Sequence, residues 1–550
     1  MIPHSYYPRP QMQRENWECL NGYWHGEVRN PEGALLKEGE ILVPFSPEAP
    51  LSGFNHILQP QETFRYERHI SYSGDFDQEK ELLLLHFGAS DYETEVYVDG
   101  VLMMVHKGGY LPFTLSLTKP HFRLALMVRD PSDTEEQQRG KQKLQRGGIW
   151  YTPQSGLWQS VWMEKVPKNY IQDLTIVPSL EDVTITVQTP EKTEGTIHLE
   201  GKNYPFVSGI ARTIEIENPH LWSPEDPYLY SFSVETKEDR VQSYFGLRTF
   251  GVGEDKKGNK RLLLNGKPYF HHGLLDQGYY KGGLYTPKDE EEMVSDLLLV
   301  KSMGFNCLRK HIKIEPLRWY YHCDRLGILV WQDMVNGGGH YSLPVISGPL
   351  FVGSFLKDSH YGLFKRKDKE KRDEFEENVR ETVDHLKNVT SLGMWVTFNE
   401  GWGQFDSVRI SEAIHRQDPT RTIDMHSGWH DQGKGDFKSL HVYFRPYRHR
   451  KDKKGRCVIL TEFGGYGYAV PGHTNTDKVF QYKGYQSKEE LTDAVVAMYQ
   501  RDILSARKEG LSASIYTQVS DVEDELNGLV TYDRKVEKMD KDKILALSKA

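Results

Sequence analysis

The chain has 550 residues, a formal net charge of −9, and 38% hydrophobic, 27% charged and 12% aromatic residues. This length predicts two to four domains of a globular protein, and the mildly acidic charge without a dominant basic tract argues against nucleic acid as a partner. The sequence has no apolar run of about 18 residues and no apolar leader, so we expect no membrane partner and a cytoplasmic location. No metal-ligand spacing links the four cysteines, so we expect no metal and no cofactor.

Residues 1–165 are predicted to form an all-β domain. Short apolar segments alternate with turn signals, as in residues 82–87 and 93–109, and no helical period is visible. Asp99-Gly100 stands between two alternating runs, which is typical of a two-residue hairpin turn. These patterns predict a β-sandwich.

Residues 166–252 continue with shorter strand-sized segments. Five of them read DLTIVPS, DVTITVQT, GTIHLEG, RTIEIEN and YLYSFSVET. Segments so regularly spaced in fewer than about 100 residues predict a second, immunoglobulin-like sandwich.

Residues 253–550 change to apolar strands that alternate with amphipathic helices. The eight predicted strands lie in PYFHHGLL, NCLRKH, ILVWQDM, MWVTFNE, TIDMHSG, SLHVYF, VILTEFGG and ASIYTQVSD. Eight such strands predict a (β/α)8 barrel. An open doubly wound sheet is the alternative, and the absence of a GxGxxG after the first strand disfavours it.

Two glutamates follow apolar runs at equivalent places in this barrel. Glu400 is predicted at the end of strand 4 and Glu462 at the end of strand 7. Since the carboxyl ends of barrel strands meet at one mouth, the two side chains are expected to converge there. A pair of carboxylates, one protonated and one ionised, is the machinery of glycoside hydrolysis. The alternative for each glutamate alone is a salt bridge at a strand end.

Motifs along nearly the whole chain together resemble glycoside hydrolase family 2. They include "VYVDGVLMMVHKGGYLPF", "SGLWQSVWME" and "LWSPEDPYLY" in the first two domains, and "LLLNGKPYFHHG", "NVTSLGMWVTFNE" and "ILTEFGG" in the barrel. The resemblance implies a jelly-roll β-sandwich, an immunoglobulin-like β-sandwich and a C-terminal (β/α)8 TIM barrel. It also implies a retaining double displacement on a terminal sugar.

The same resemblance implies roles for individual residues. Glu400 would be the general acid/base, Glu462 the nucleophile, and Asn399 a hydrogen-bond partner of the sugar 2-hydroxyl. Arg309 and His311 end strand 2 and would lie near the nucleophile, where the arginine would orient Glu462 and keep it ionised. An ordinary ion pair is the alternative for that arginine.

Further strand-end residues are expected to bind the sugar. His441 and Tyr443 end strand 6, where the family often places an aromatic hydroxyl near the nucleophile. Asp276 ends strand 1, Asp333 ends strand 3, and Trp429 follows strand 5 as either a packing residue or a platform.

One departure from the family bears on the sugar. β-Glucuronidases of the family carry an Asn-x-Lys pair in the strand 8 loop, and the matching positions here are Glu525 and Asn527. An added carboxylate would repel an anionic substrate, so we expect a neutral terminal sugar and a β-galactosidase-like activity. β-Mannosidase and furanosidase activities, such as arabinofuranosidase or galactofuranosidase, are the alternatives.

Two other classes of protein compete with this interpretation. A non-catalytic carbohydrate-binding protein would keep the sandwiches and lose one carboxylate, yet both are present. A lyase or aldolase would require a Schiff-base lysine at a strand end, where Lys310 is the one candidate. The expected partner is therefore a small glycoside or oligosaccharide, and a homo-oligomer stays open.

Overall fold

The computed structural model describes residues 2–349, 356–474 and 476–549. Its amino-terminal part is an antiparallel β-sandwich whose two main sheets share one hydrophobic core. In sheet order, the first contains Leu35–Val43, Gly22–Arg29, Thr63–Ser71, His121–Arg129, Glu93–Val98 and Val101–Lys107. The second contains Trp17–Cys19, Val161–Pro167, Glu81–Phe87 and Phe113–Leu117, and a small ladder pairs Ser90–Asp91 with Gly156–Leu157.

The turn at Asp99-Gly100 joins two neighbouring strands as predicted. Asp99 has φ 51° and Gly100 has φ 83°. Two successive positive φ angles define the type I′ turn, whose twist matches that of the strands it connects. The hairpin prediction is therefore confirmed.

The second sandwich has seven antiparallel strands and a separate core that includes Ile185, Ile197 and Val234. Its three-stranded sheet contains Asp173–Pro178, Asp182–Gln188 and Arg212–Glu215. Its four-stranded sheet contains Lys202–Val207, Glu194–Leu199, Tyr230–Thr236 and Arg240–Phe245.

A small antiparallel sheet connects this sandwich to the barrel. Its strands are Phe250–Glu254, Lys260–Leu264 and Lys267–Pro268. Leu262 from this sheet belongs to the same buried cluster as Ile459 and Ile515 of the barrel. The sheet therefore packs against the barrel strands.

Eight parallel strands form the predicted barrel. They are β1 His271–Asp276, β2 Cys307–Lys310, β3 Leu329–Asp333, β4 Leu392–Val396, β5 Thr422–Asp424, β6 Phe437–Val442, β7 Cys457–Gly464 and β8 Ala513–Thr517. Hydrogen bonds link them in the order β5-β4-β3-β2-β1-β8-β7-β6. Their nearly continuous burial is typical of strands covered on both faces, and their carboxyl ends form one mouth.

Helices connect most of these strands. They are α1 Glu290–Ser302, α2 Leu317–Leu326, α3 Leu343–Ile346, α4 Lys369–Leu386, α5 Ser407–Gln417, α6 Lys488–Met498, α7 Ser505–Glu509 and α8 Lys541–Ser548. A π-helical segment, Tyr499–Leu504, joins α6 to α7. Two short 3-10 helices, Pro10–Met12 and Pro50–Ser52, lie in the first sandwich, and Tyr466–Tyr468 pairs with Lys483–Tyr485 after β7.

The regular alternation of strand and helix fails at two connections. Residues 425–436 after β5 and 443–456 after β6 contain no helix. These irregular segments instead place polar and aromatic side chains at the mouth. In the described ranges, no helix has the length and apolar character needed to cross a membrane.

Candidate active site

Glu400 and Glu462 reach the barrel mouth from two different backbone settings. Glu462 was predicted to end β7 and lies near its carboxyl end, since β7 continues to Gly464. Glu400 was predicted to end β4, but β4 ends at Val396 and Glu400 lies in the following turn with φ 47°. Its amide donates a hydrogen bond to the carbonyl of Ser427, which holds this left-handed residue in place. A left-handed backbone conformation is costly for any residue other than glycine, and such strained residues cluster at functional sites.

The two carboxylates lie on either side of one histidine. His441 Nδ1 is 2.7 Å from Glu400 Oε1 and 3.4 Å from Glu462 Oε2. One oxygen of each carboxylate and this nitrogen lie within 4.8 Å of one another. Carboxyl groups of retaining glycosidases are about 5–5.5 Å apart, whereas inverting enzymes need about 6.5–9.5 Å. The observed spacing favours retention.

Hydrogen-bond donors distinguish the two glutamates. Arg309 Nη1 donates to Glu462 Oε1 at 3.0 Å, and the Tyr443 hydroxyl donates to Glu462 Oε2 at 2.5 Å. Glu400 has only the contact with His441 among the side chains of the described chain. Donors stabilise an ionised carboxylate, so Glu462 is equipped as the anion and Glu400 as the group that exchanges a proton.

Arg309 links several of the predicted site residues. Its guanidinium makes two 2.9 Å hydrogen bonds to Asp333, which also contacts His311 Nδ1 at 2.8 Å. Arg309 Nη2 donates to Asn399 Oδ1 at 2.7 Å. The Asn399 side-chain NH2 group is buried and has no hydrogen-bond partner among the described residues. A buried donor without a partner is costly, which suits a group that waits for a ligand oxygen.

Burial and nearby charges shift the pKa values of the central groups. Burial raises the pKa of Glu400 to about 7; Lys141 and Arg309 oppose this rise and Glu525 adds to it. Burial also raises the pKa of Glu462, against the effects of His441 and Arg309. The expected effect of Arg309 on Glu462 is thus present but does not outweigh burial. The pKa of His441 is lowered to about 4, chiefly by burial, so this imidazole is neutral near pH 7.

A pH dependence follows from the raised pKa of Glu400. The general-acid role that the sequence resemblance implies for Glu400 requires the residue to hold its proton, so kcat/KM is expected to fall as pH rises through about 7. Replacing Lys141 with methionine removes a cation that favours the ionised form, so the pKa of Glu400 rises and the alkaline limb moves to higher pH. Lys143→Met is the matched control and should leave the limb in place. A shift to lower pH in Lys141→Met would contradict this assignment.

Lys310, the candidate Schiff-base lysine, forms ion pairs with two carboxylates. Its ammonium lies 2.6 Å from Asp276 and 2.8 Å from Glu315, and its side chain is completely buried. A lysine held in this way is protonated and not nucleophilic. Asp276 is the last residue of β1 and so lies at the mouth, but its Oδ2 is already paired with the Lys310 ammonium. The neighbouring Gln277 is buried, and its amide nitrogen and oxygen both lack partners among the described residues.

Trp429 packs beside His441. Its ring centroid lies 5.4 Å from that of His441, and its indole N–H donates to the carbonyl of Ile346 in α3. Only 6% of the residue is exposed. The structure therefore brings Trp429 to the site, with its N–H engaged by the covering helix.

Sequence reasoning missed a segment of the first sandwich that reaches the mouth. Lys141 Nζ lies 3.7 Å from Glu525 and donates to the Tyr151 hydroxyl, which in turn donates to Glu525. Thr152 and Arg146 bond to Glu523 and Asp524, respectively. The contacts close one side of the mouth between residues 141–152 and the loop after β8. The only signal in the sequence is the density of basic, glycine and aromatic residues from Arg139 to Tyr151.

Tyr482, in the loop after β7, was also missed. Its ring stacks on that of Tyr443 with centroids 3.9 Å apart and an angle of 8° between planes. The Tyr443 hydroxyl contacts Glu462, so Tyr482 supports a direct partner of this carboxylate. Nothing in the spacing of this loop indicates that contact.

Two groups of side chains within the described ranges are close enough to hold a metal ion. One is Glu400, His441 and Glu462, and the other is His25, Glu27 and Glu38 on the surface of the first sandwich. Glu27 already pairs with Arg29 at 2.7 Å. Each group offers three possible ligands among the described residues, and no fourth side chain there completes either set.

Family models match two parts of the chain. The model described as "Glycosyl hydrolases family 2, TIM barrel domain" matches residues 256–539. The model described as "Glycosyl hydrolases family 2" matches residues 168–248. The barrel match alone covers more than half of the 550 residues.

The proteins that are similar to this chain are named for more than one glycosidase activity. The chain is 25% identical to a β-glucuronidase of Streptococcus agalactiae over 438 residues, which cover 72% of this chain and 68% of the relative. It is 24% identical to a β-galactosidase of Thermoanaerobacter pseudethanolicus over 474 residues, which cover 78% of this chain and 58% of that relative. The solved structure of a β-D-glucuronidase from Dictyoglomus thermophilum superposes with a TM-score of 0.74 at 18% identity, covering 99% and 98% of the two chains. That likeness supports the fold.

Proposed function

Because this chain belongs to glycoside hydrolase family 2, we propose that it is a retaining exo-glycosidase with Glu462 as nucleophile and Glu400 as acid/base. The observation that carries this proposal is the placement of both carboxylates around His441, with oxygens within 4.8 Å and with the Arg309 and Tyr443 donors both on Glu462. Such a pair suits a double displacement.

The proposed reaction has two steps. In the first, a Glu462 oxygen forms a bond to the anomeric carbon while the glycosidic C–O bond breaks and the proton of Glu400 passes to the leaving oxygen. In the second, ionised Glu400 takes a proton from water, the water oxygen attacks the anomeric carbon, and the bond to Glu462 breaks. Asn399, with its unpartnered NH2 group, is placed to donate to a sugar hydroxyl.

Closure of the mouth supports action on a terminal sugar. The segment 141–152 and the loop after β8 meet through Tyr151–Glu525 and Arg146–Asp524. A polysaccharide chain could not continue through that side. We therefore propose that a single terminal residue enters the pocket.

Charge pairing supports a neutral sugar. Two cations in the described chain, Arg309 and Lys141, act on the pKa of Glu400, and each already faces a carboxylate. Lys310 is paired with Asp276 in the same way. Glu525, at a position where β-glucuronidases would place a uronate-binding pair, is 1% exposed and carries a further carboxylate. A uronate would enter without an unpaired cation, which costs several kcal/mol, about 3–5. We propose β-galactosidase-like specificity, with mannoside and furanoside substrates as variants of the same neutral class.

A uronide is the second candidate, since Lys141 is a cation at the mouth and the Streptococcus agalactiae relative is named a β-glucuronidase. The test compares kcat/KM for nitrophenyl β-galactoside, β-mannoside, α-arabinofuranoside, β-galactofuranoside and β-glucuronide. The best neutral glycoside is expected to exceed the glucuronide by at least about 100-fold. If the glucuronide is the best substrate and Lys141→Met abolishes its cleavage, the neutral-sugar proposal is wrong and Lys141 binds the uronate.

A further inference from the structure

One imidazole nitrogen of His441 faces both of the proposed catalytic carboxyl groups. Nδ1 lies 2.7 Å from Glu400 Oε1 and 3.4 Å from Glu462 Oε2. The imidazole is completely buried, whereas the Glu400 side chain keeps 15% of its surface exposed. Among the described side chains no other hydrogen bond reaches the Glu400 carboxyl group. Its second oxygen, Oε2, is therefore free to meet a ligand.

The other imidazole nitrogen of His441 contacts a buried hydroxyl group. Nε2 lies 3.0 Å from Ser427 Oγ, and Ser427 Oγ lies 3.0 Å from Thr461 Oγ1. Both hydroxyl-bearing residues are fully buried. A hydroxyl can turn its proton towards either neighbour, so Ser427 is able to donate to Nε2. The carbonyl of Ser427 also accepts the amide of Glu400, so one residue holds both the glutamate and the histidine.

The surrounding charges decide which nitrogen of His441 carries the hydrogen. Burial lowers the pKa of His441 to about 4, so the ring is neutral near pH 7 and has a single N–H. A lone pair on Nδ1 would face carboxyl oxygens of both glutamates, and one of the two is ionised at each stage of the proposed reaction. An N–H at that position is instead attracted by them. The hydrogen therefore lies on Nδ1, and Nε2 accepts a hydrogen bond from Ser427.

From this geometry we propose that His441 is a positioning residue that directs the acidic proton of Glu400 onto Oε2, the oxygen left free for the leaving group. The inference rests on the proposed glycosidase function, in which Glu400 is the acid/base. While Nδ1–H donates to Oε1, that oxygen is the carbonyl oxygen of the protonated carboxyl group and Oε2 holds the O–H. The proton on Oε2 passes to the leaving oxygen, and the Nδ1 hydrogen stays on the ring. The same N–H then stabilises ionised Glu400.

The kinetic test uses two aryl glycosides of one sugar, the best sugar of the nitrophenyl panel. A phenyl leaving group needs a proton and a dinitrophenyl leaving group needs little, so the pair isolates the role of the acid. His441→Leu removes the N–H and is expected to lower kcat/KM about tenfold for the phenyl glycoside and less than about twofold for the dinitrophenyl glycoside. His441→Asn is the matched variant, because its amide keeps an N–H directed at Glu400, and it should hold the phenyl value within about threefold of wild type.

Ser427→Ala tests the support of His441 from its far side. The substitution keeps the backbone carbonyl that accepts the Glu400 amide and removes the donor to Nε2. We expect a loss of about fivefold for the phenyl glycoside alone. No further loss is expected in the His441→Asn background, because asparagine has no atom in the place of Nε2. Ser514→Ala is the control: it removes a buried hydroxyl on β8 that has no hydrogen-bond partner among the described residues, and it should change neither value.

Nitrogen NMR measures the tautomer of His441 without turnover. In protein that carries ¹⁵N-labelled histidine, the ring signals that vanish in His441→Asn should report a protonated Nδ1 and an unprotonated Nε2. A protonated Nε2 in a protein that cleaves aryl glycosides would overturn the inference and leave the glycosidase proposal standing. Equal losses on both glycosides in His441→Leu, or losses in His441→Asn as large as those in His441→Leu, would also overturn it. If the wild type cleaves no aryl glycoside at all, the glycosidase proposal itself fails, and the positioning role fails with it whichever nitrogen is protonated.

Discussion

Glu462→Gln is expected to lower kcat on an activated aryl glycoside by at least about 10⁴-fold, which is the largest effect we expect from a single substitution. An amide cannot form the glycosyl ester, so the first step of the double displacement has no nucleophile. The fold should survive because the guanidinium of Arg309 keeps two hydrogen bonds to Asp333 and one to Asn399. Steady-state kinetics on purified protein and the melting temperature are the measurements.

Glu412→Gln provides the control for this substitution. Glu412 lies exposed on α5, so the same change of carboxylate to amide there should leave kcat within about twofold. If Glu462→Gln retained near-wild-type kcat with an unchanged melting temperature, Glu462 would not be the nucleophile. If its melting temperature collapsed, Glu462→Asp, which keeps the charge but retracts the oxygen, should lower kcat in a protein that folds.

Glu400→Ala is expected to have the second-largest effect, and one that depends on the leaving group. Loss of a general acid costs about 10²–10⁴-fold when the leaving oxygen needs a proton. On a dinitrophenyl glycoside, which needs little protonation, the glycosyl-enzyme should still form and then accumulate because no base activates water. Azide, which needs no base, should restore turnover and yield a glycosyl azide with retained configuration.

The rescue experiment separates the roles of the two carboxylates. Azide should not restore turnover to Glu462→Gln on the same substrate, because no glycosyl-enzyme forms there. A glycosyl azide of inverted configuration from Glu400→Ala would mean that azide attacks the substrate directly and that Glu400 is the nucleophile. Absence of rescue at any azide concentration would remove the acid/base role of Glu400.

The fold follows from local patterns in the sequence to a large extent. Alternating apolar residues and the Asp99-Gly100 turn predict the sandwiches, and the change to strand-helix alternation predicts the barrel. The missing helices after β5 and β6 could not be predicted in this way. Those segments carry polar and aromatic residues whose contacts are with the mouth of the barrel, and such contacts leave no periodic signal.

The residues of the candidate site also differ in whether local sequence patterns predict them. Glu400, Glu462, Arg309 and Asp333 could be predicted because each follows or ends an apolar strand, and parallel strands bring their carboxyl ends together. The turn at Glu400 could not, since its left-handed backbone is held by Ser427. Nor could the pairing of Tyr151 with Glu525, which are 374 residues apart in the chain and meet only when the first sandwich docks on the barrel.

Covalent labelling of the nucleophile tests the central claim most directly. A 2-deoxy-2-fluoro aryl glycoside of the preferred sugar slows both steps, so the glycosyl-enzyme should accumulate, raise the intact mass by one fluorosugar and inactivate the protein. Digestion and tandem mass spectrometry should then place the sugar on Glu462, in the peptide that contains ILTEFGG, with none bound in Glu462→Gln. A label on Glu400, or turnover with inverted anomeric configuration and no label at all, would contradict the proposed mechanism.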